Sequence, residues 1–248
     1  MVGLAVDLGF LGGILSLEGG EQLDAAAAAH RADLAGADQI VIPLGGEDRP
    51  GLSMEEARRV KAIVRKRVCV ALRGLRMVEQ ALALRPSEVL FLSEGGGPVA
   101  LDLLTAGSGP LAEATSRVRA AGSLPVVCVD PEEKDVLAAQ DAGAAAVELD
   151  AAEVGLAGTD DAALAAHRRL AAAARAASDV GLRVRAGGGS AGPVRVSRMA
   201  EVPEVEQIRV GAALLAGAFY EGIGSAVAAL RREISRGARR GERQEEEE

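Results

Sequence analysis

Aromatic side chains are nearly absent: the chain of 248 residues has three Phe, one Tyr and no Trp. Stacking platforms interleaved with basic residues, which nucleic-acid binders use, therefore cannot be assembled. The formal net charge of −8 points the same way, so nucleic acid is not an expected partner. Cysteine is almost as scarce. Cys69 and Cys128 both fall inside apolar, strand-like runs, as two reduced, buried thiols in a reducing compartment would. There are only two histidines, His30 and His167, both in stretches with helical pattern, and neither follows a strand. No apolar run approaches the ~20 residues of a membrane span. Met1 to Asp7 shows neither a basic region nor a cleavage signal, and a cytoplasmic protein without a membrane partner is expected.

What is abundant is small and apolar. Hydrophobic residues make up 49% of the chain, alanine-rich stretches recur, and there are 31 glycines. Short apolar runs alternate with longer amphipathic ones, as in repeated βα units. Strands are expected at Val2–Leu8, Asp38–Leu44, Val68–Leu72, Glu88–Leu92, Pro125–Val129, Ala144–Leu149, Leu182–Arg185 and Glu206–Val210. Ser53 and Glu56 have capping-box spacing, and Thr159-Asp160-Asp161 opens a long helix. Asp130 is expected as a helix cap followed by Pro131 in the first turn. The glycine-rich stretch from Ser93 to Pro110 is too long for an ordinary connection and is expected to be a functional loop. A last helix is expected from Ala212 to Arg236. Eight strands alternating with helices predict an α/β fold, a TIM (β/α)8 barrel, as one domain over residues 1–236, with a disordered acidic tail over 237–248.

Active residues of such barrels lie at the C-terminal ends of the strands. The polar candidates there are Asp7, Glu47, Asp48, Arg73, Glu94, Asp130, Glu148, Asp150, Arg185 and Arg209. Asp130 is either a cap or a site residue, and Glu47 and Asp48 either site groups or solvated loop charges. Glu148, inside an apolar run, needs a partner if ionised, with Arg185 or Arg209 the natural choice. After the seventh and eighth strands stand Gly187, Gly188, Gly189 and then Gly211 with Ala212. They are either a phosphate cradle of bare main-chain N–H groups or plain strand-to-helix turns.

Several motifs, in order, resemble the pyridoxine 5′-phosphate synthase family. Gly36-Ala37-Asp38-Gln39-Ile40-Val41-Ile42-Pro43-Leu44, followed by Glu47-Asp48-Arg49, is similar to that family's G-A-D-G-I-T-V-H-L-R-E-D-R. Leu4-Ala5-Val6-Asp7-Leu8 resembles L-G-V-N-I, Val147-Glu148-Leu149 resembles I-E-I, Ala186-Gly187-Gly188-Gly189 resembles A-G-H-G, and Val210-Gly211 resembles I-G. Val126 to Asp130 with Glu132-Glu133 resembles the fifth strand and its acidic turn.

The resemblance implies an oligomeric TIM barrel that condenses 1-deoxy-D-xylulose 5-phosphate with 3-amino-1-hydroxyacetone 1-phosphate. It implies a phosphorylated small molecule as ligand and a homo-oligomer, with no cofactor and no metal expected. The family's second-strand histidine falls at Pro43, its third-strand glutamate at Ala71 and its glycine-flanked histidine at Gly188. The first-loop N-I-D-H falls at Asp7 to Phe10, its arginine at Glu18, and the histidine of I-G-H at Ala212. Loss of one general acid or base typically costs ~10²–10⁴ in rate. The alternative to a working enzyme is a non-catalytic barrel that binds a phosphometabolite or a partner in a regulatory role.

Overall fold

The computed structural model describes residues 1–9, 11, 24–45, 51–104, 109–156, 159–188 and 192–247. Eight strands form a closed, all-parallel barrel in chain order, with β1 bonded to both β2 and β8. They are β1 (Gly3–Asp7), β2 (Gln39–Pro43), β3 (Arg67–Arg73), β4 (Glu88–Leu92), β5 (Leu124–Val129), β6 (Ala146–Asp150), β7 (Arg183–Gly187) and β8 (Val205–Val210). The helices are α1 (Ala25–Leu34), α2 (Met54–Ile63), α3 (Val78–Ala83), α4 (Leu101–Leu104), α5 (Pro110–Ala120), α6 (Glu133–Asp141), α7 (Ala152–Leu156), α8 (Asp160–Asp179), α9 (Pro193–Met199), α10 (Ala212–Glu221) and α11 (Ile223–Glu247).

Strands such as β3, β4 and β5 are buried on both faces over most of their length, which is why their sequences read as near-continuous apolar runs. Leu4, Val6, Ile40, Ile42, Val68, Val70 and Phe91 face the helices and join the large outer core. The alternate positions face the barrel axis, where Ala5, Val41, Cys69, Ala71, Leu90, Leu92, Val126, Cys128 and Ala146 form a separate, small-residue cluster. Such interiors are more often filled by bulky branched side chains. Here charged and amide side chains take that space, among them Glu88, Arg185, Gln39, Gln207 and Glu148.

Local signals act as the sequence suggests at two helix starts. Ser53 and Glu56 form a reciprocal capping box on α2, and Thr159 caps α8 by accepting from Ala162 N–H at 3.2 Å. Asp130 is not a cap. β5 is followed by a tight turn in which Glu132 N–H donates to the Asp130 carbonyl at 2.7 Å, so α6 starts at Glu133 with Glu132 in the N-cap position.

The expected last helix is also corrected. Gly222, at φ 81°, breaks it into α10 and α11, and α11 runs on past Arg236 to Glu247. The extension lies against α9: a Cβ at Gly237 or Gly241 would overlap the carbonyl oxygens of Ser197 and Glu201. Arg240 fastens the contact, donating to Ser197 Oγ at 2.8 Å and to Glu201 at 2.6 Å.

Candidate active site

The C-terminal ends of the strands bring together Asp7, Pro43, Ala71, Arg73, Glu148, Asp150, Gly187 and Gly188, with Glu94, Asp130, Gly211 and Ala212 on the segments just beyond. Glu47, Asp48 and Gly189 lie outside the described residues. His30 and His167 stay on helices, His167 lying 3.1 Å from the Arg198 carbonyl. Among the described residues no group of His, Cys, Asp and Glu is placed to hold a metal ion, and no helix is long and apolar enough to cross a membrane.

Below the mouth, the interior carries two layers of charge. In the upper one Arg209 reaches from β8 across the barrel. Its Nε donates to both Glu148 oxygens at 2.9 and 3.0 Å, Nη2 donates to Glu148 Oε1 at 2.7 Å, and Nη1 bonds Asp7. The other Asp7 oxygen accepts from Gly9 N–H at 2.8 Å. Glu148 thus has the partner its burial demands, and the bond is charge-assisted and forked. Burial alone would lower the Arg209 pKa, but Glu148 and then Asp7 outweigh it and raise it well above the usual value. Arg209 is accordingly spent on the interior and not turned to the mouth.

The lower layer was not foreseen. Glu88 and Arg185 pair at 2.5 Å, with side chains only 2% and 5% exposed, and Gln39 Nε2 also donates to Glu88. Burial pushes the Glu88 carboxyl up, but Arg185 above all, with Gln39 and Arg67, overcomes this and holds it below the usual carboxylate range. A glutamate opening an otherwise apolar strand was the available signal.

The glycines at the ends of β7 and β8 share one end of the barrel, and Gly187 and Gly188 each make room for a carboxylate, whereas Gly211 has ordinary packing space. A Cβ at Gly187 would lie 2.6 Å from Glu148 Oε1, and one at Gly211 would meet the Asp7 Cβ at 3.5 Å. At Gly188, with φ 93°, a Cβ would overlap Asp150 Oδ1. Asp150 is half-buried, and its Oδ1 accepts from Ala152 N–H at 2.9 Å. Burial first, then the charges of Asp130 and Glu148, raise its pKa against that hydrogen bond. Gly211 precedes α10, whose N-terminus has no side-chain cap. First-turn N–H groups of such a helix suit an anion.

Pro43 and Ala71 are register partners on β2 and β3, and Ala71 faces the barrel axis beside Leu90 and Leu92. Neither side chain can carry a proton.

Comparison with known proteins agrees with the barrel architecture. A family model described as pyridoxal phosphate biosynthesis protein PdxJ matches residues 14–236. Pyridoxine 5′-phosphate synthase of Desulfatibacillum aliphaticivorans is 29% identical over 237 residues, covering 92% of this chain and 96% of that relative. The synthase of Chlorobium phaeobacteroides is 30% identical over 247 residues, covering 93% and 99%. Among solved structures, N-(5′-phosphoribosyl)anthranilate isomerase from Pyrococcus furiosus superposes with a TM-score of 0.60 at 14% identity, covering 95% of this chain and 99% of that one. The Amycolatopsis orientalis BexX/CysO complex gives 0.63 at 20% identity, covering 98% and 91%. At those identities the structural matches speak for the barrel alone. The near-complete family match, with relatives aligned over almost their whole length, makes the chain a member of the PdxJ family, a pyridoxine 5′-phosphate synthase-like barrel.

Proposed function

We propose that this protein is a divergent member of its family that binds a phosphorylated small molecule at the ends of β7 and β8 and does not carry out the family condensation. The observation that carries the reading is the set Pro43, Ala71 and Gly188 at the positions where the resemblance puts the family's histidine, glutamate and second histidine. The condensation of 1-deoxy-D-xylulose 5-phosphate with 3-amino-1-hydroxyacetone 1-phosphate needs repeated proton shuttling through imine formation, water loss and ring closure. Phosphate binding needs no such side chains. Main-chain N–H groups at Gly187, Gly188 and Gly189, and at Gly211 and Ala212 where α10 begins, supply donors that side-chain substitution leaves in place. Asp7, Glu47, Asp48, Glu94, Asp130 and Glu148 complete the set of site candidates, and a cytoplasmic location belongs to the same proposal.

A regulatory, partner-binding role is the second reading, favoured by one feature outside the mouth. Phe219 and Tyr220 on α10 stand 81% and 84% exposed, edge to face with ring centroids 5.3 Å apart. In a chain with so few aromatics, two side by side in solvent suit an interface, and self-association into a homo-oligomer belongs to this proposal.

Ligand binding is tested by melting the purified protein in millimolar inorganic phosphate. The melting temperature rises, because a ligand that binds only the folded state stabilises it by mass action. The Gly211→Val variant, with a branched side chain at the cradle, loses that rise. Phosphate that leaves both the melting temperature and the calorimetric heat unchanged would leave the partner-binding barrel as the better reading.

A further inference from the structure

Beside the mouth, at the rim of β4, a cavity of about 480 Å³ opens between the ends of β3 and β4 and helices α4 and α5. Leu75, Phe91, Leu92, Val99, Leu103 and Leu111 line it. Phe91 points outward from the barrel into the helix layer and Leu92 belongs to the axial cluster, so the recess lies at the rim of β4, and none of the residues of the Arg209 and Glu88–Arg185 charge layers line it. Leu103, at its edge, is left 46% exposed. Water is poorly held by such walls, whereas the volume falls within the ~300–1,000 Å³ of small-molecule sites, which are apolar with a few polar groups.

Two charged side chains also line the cavity. Glu94 already has a partner within the protein. Arg76 is exposed and makes no ion pair among the described residues. An apolar recess with a guanidinium that makes no ion pair among the described residues complements a molecule with an apolar body and a single anionic head. A neutral apolar ligand would leave Arg76 unused, and a multiply charged one would leave the leucines facing charge. We propose that this recess is a second ligand site, independent of the strand-end glycines, for a small amphipathic monoanion such as a medium-chain or aromatic carboxylate.

The test is calorimetric titration of the full-length protein with butyrate, hexanoate and octanoate, and with 1-octanol as the uncharged comparison. Affinity increases roughly threefold to fourfold per added methylene until the recess is filled, as burial of hydrocarbon requires. Leu103→Trp, which places a larger side chain at an already exposed edge, weakens octanoate by about tenfold or more by taking up the space. Arg76→Gln weakens octanoate by about fivefold and leaves 1-octanol unchanged. Saturating inorganic phosphate does not compete, which separates this site from the phosphate reading. No binding of octanoate, affinity independent of chain length, or octanoate binding unaffected by Leu103→Trp would overturn the proposal.

Discussion

Gly188 and Asp150 exclude any larger residue at position 188 in two ways. Its backbone sits at φ 93°, where a side chain is strained, and the space a Cβ would take already holds the Asp150 carboxylate. The left-handed conformation alone costs an L-residue about 1–2 kcal/mol. Restoring a histidine there is therefore not a single-residue problem. Gly188→His is expected to lower the melting temperature without gaining synthase activity, and adding Asp150→Gly should recover part of the lost stability. Melting curves of the single and double variants decide the point: a Gly188→His protein as stable as the parent would contradict it. In the sequence the glycine run was plain. That a neighbouring strand's aspartate filled the vacated space was not, because the contact joins residues from β6 and β7.

The strands are cross-tied through the barrel axis, β4 to β7 by Glu88–Arg185, and β8 to β6 and β1 by Arg209 with Glu148 and Asp7. Breaking a buried pair from one side leaves a bare charge and costs about 3–5 kcal/mol, whereas apolar replacement of both partners is often neutral. Glu88→Leu is thus expected to be strongly destabilising, with Arg185→Leu in the same chain restoring most of the loss. The pH dependence follows from the lowered Glu88 pKa. Its contribution is present above the ordinary carboxylate pKa and is lost as pH falls through the lowered folded value. Acid unfolding should accordingly be less steep in Glu88→Gln, and denaturant melts across the acid range would show it.

Element order, strand positions and the Ser53 capping box were legible because periodicity and local caps act over a few residues. The pairing of Glu148 with Arg209 was legible only as a need, since a buried carboxylate demands a cation without saying which. The break at Gly222 and the docking of α11 along α9 depend on surfaces far apart in sequence, and so the expected ending at Arg236 fell short.

At the scale of the whole molecule, the chain keeps its family's barrel, and in the reading proposed above Pro43, Ala71 and Gly188 stand where the family resemblance puts its proton-moving groups. Composition showed few aromatics and no run of ~20 apolar residues, and colinear motifs could place the family. The charge layers inside the barrel depend on closure, which brings strands distant in the chain to face one another. The account's central claim is retention of the scaffold with loss of the condensation. Its most direct test is steady-state assay of the purified protein with 1-deoxy-D-xylulose 5-phosphate and 3-amino-1-hydroxyacetone 1-phosphate, beside a family member that retains the histidines and the glutamate. Removing even one such acid or base typically costs ~10²–10⁴ in rate, so formation of pyridoxine 5′-phosphate should fall below that of the intact relative by at least that factor. Turnover matching the relative would contradict the claim and assign the proton transfers to the carboxylates at the mouth.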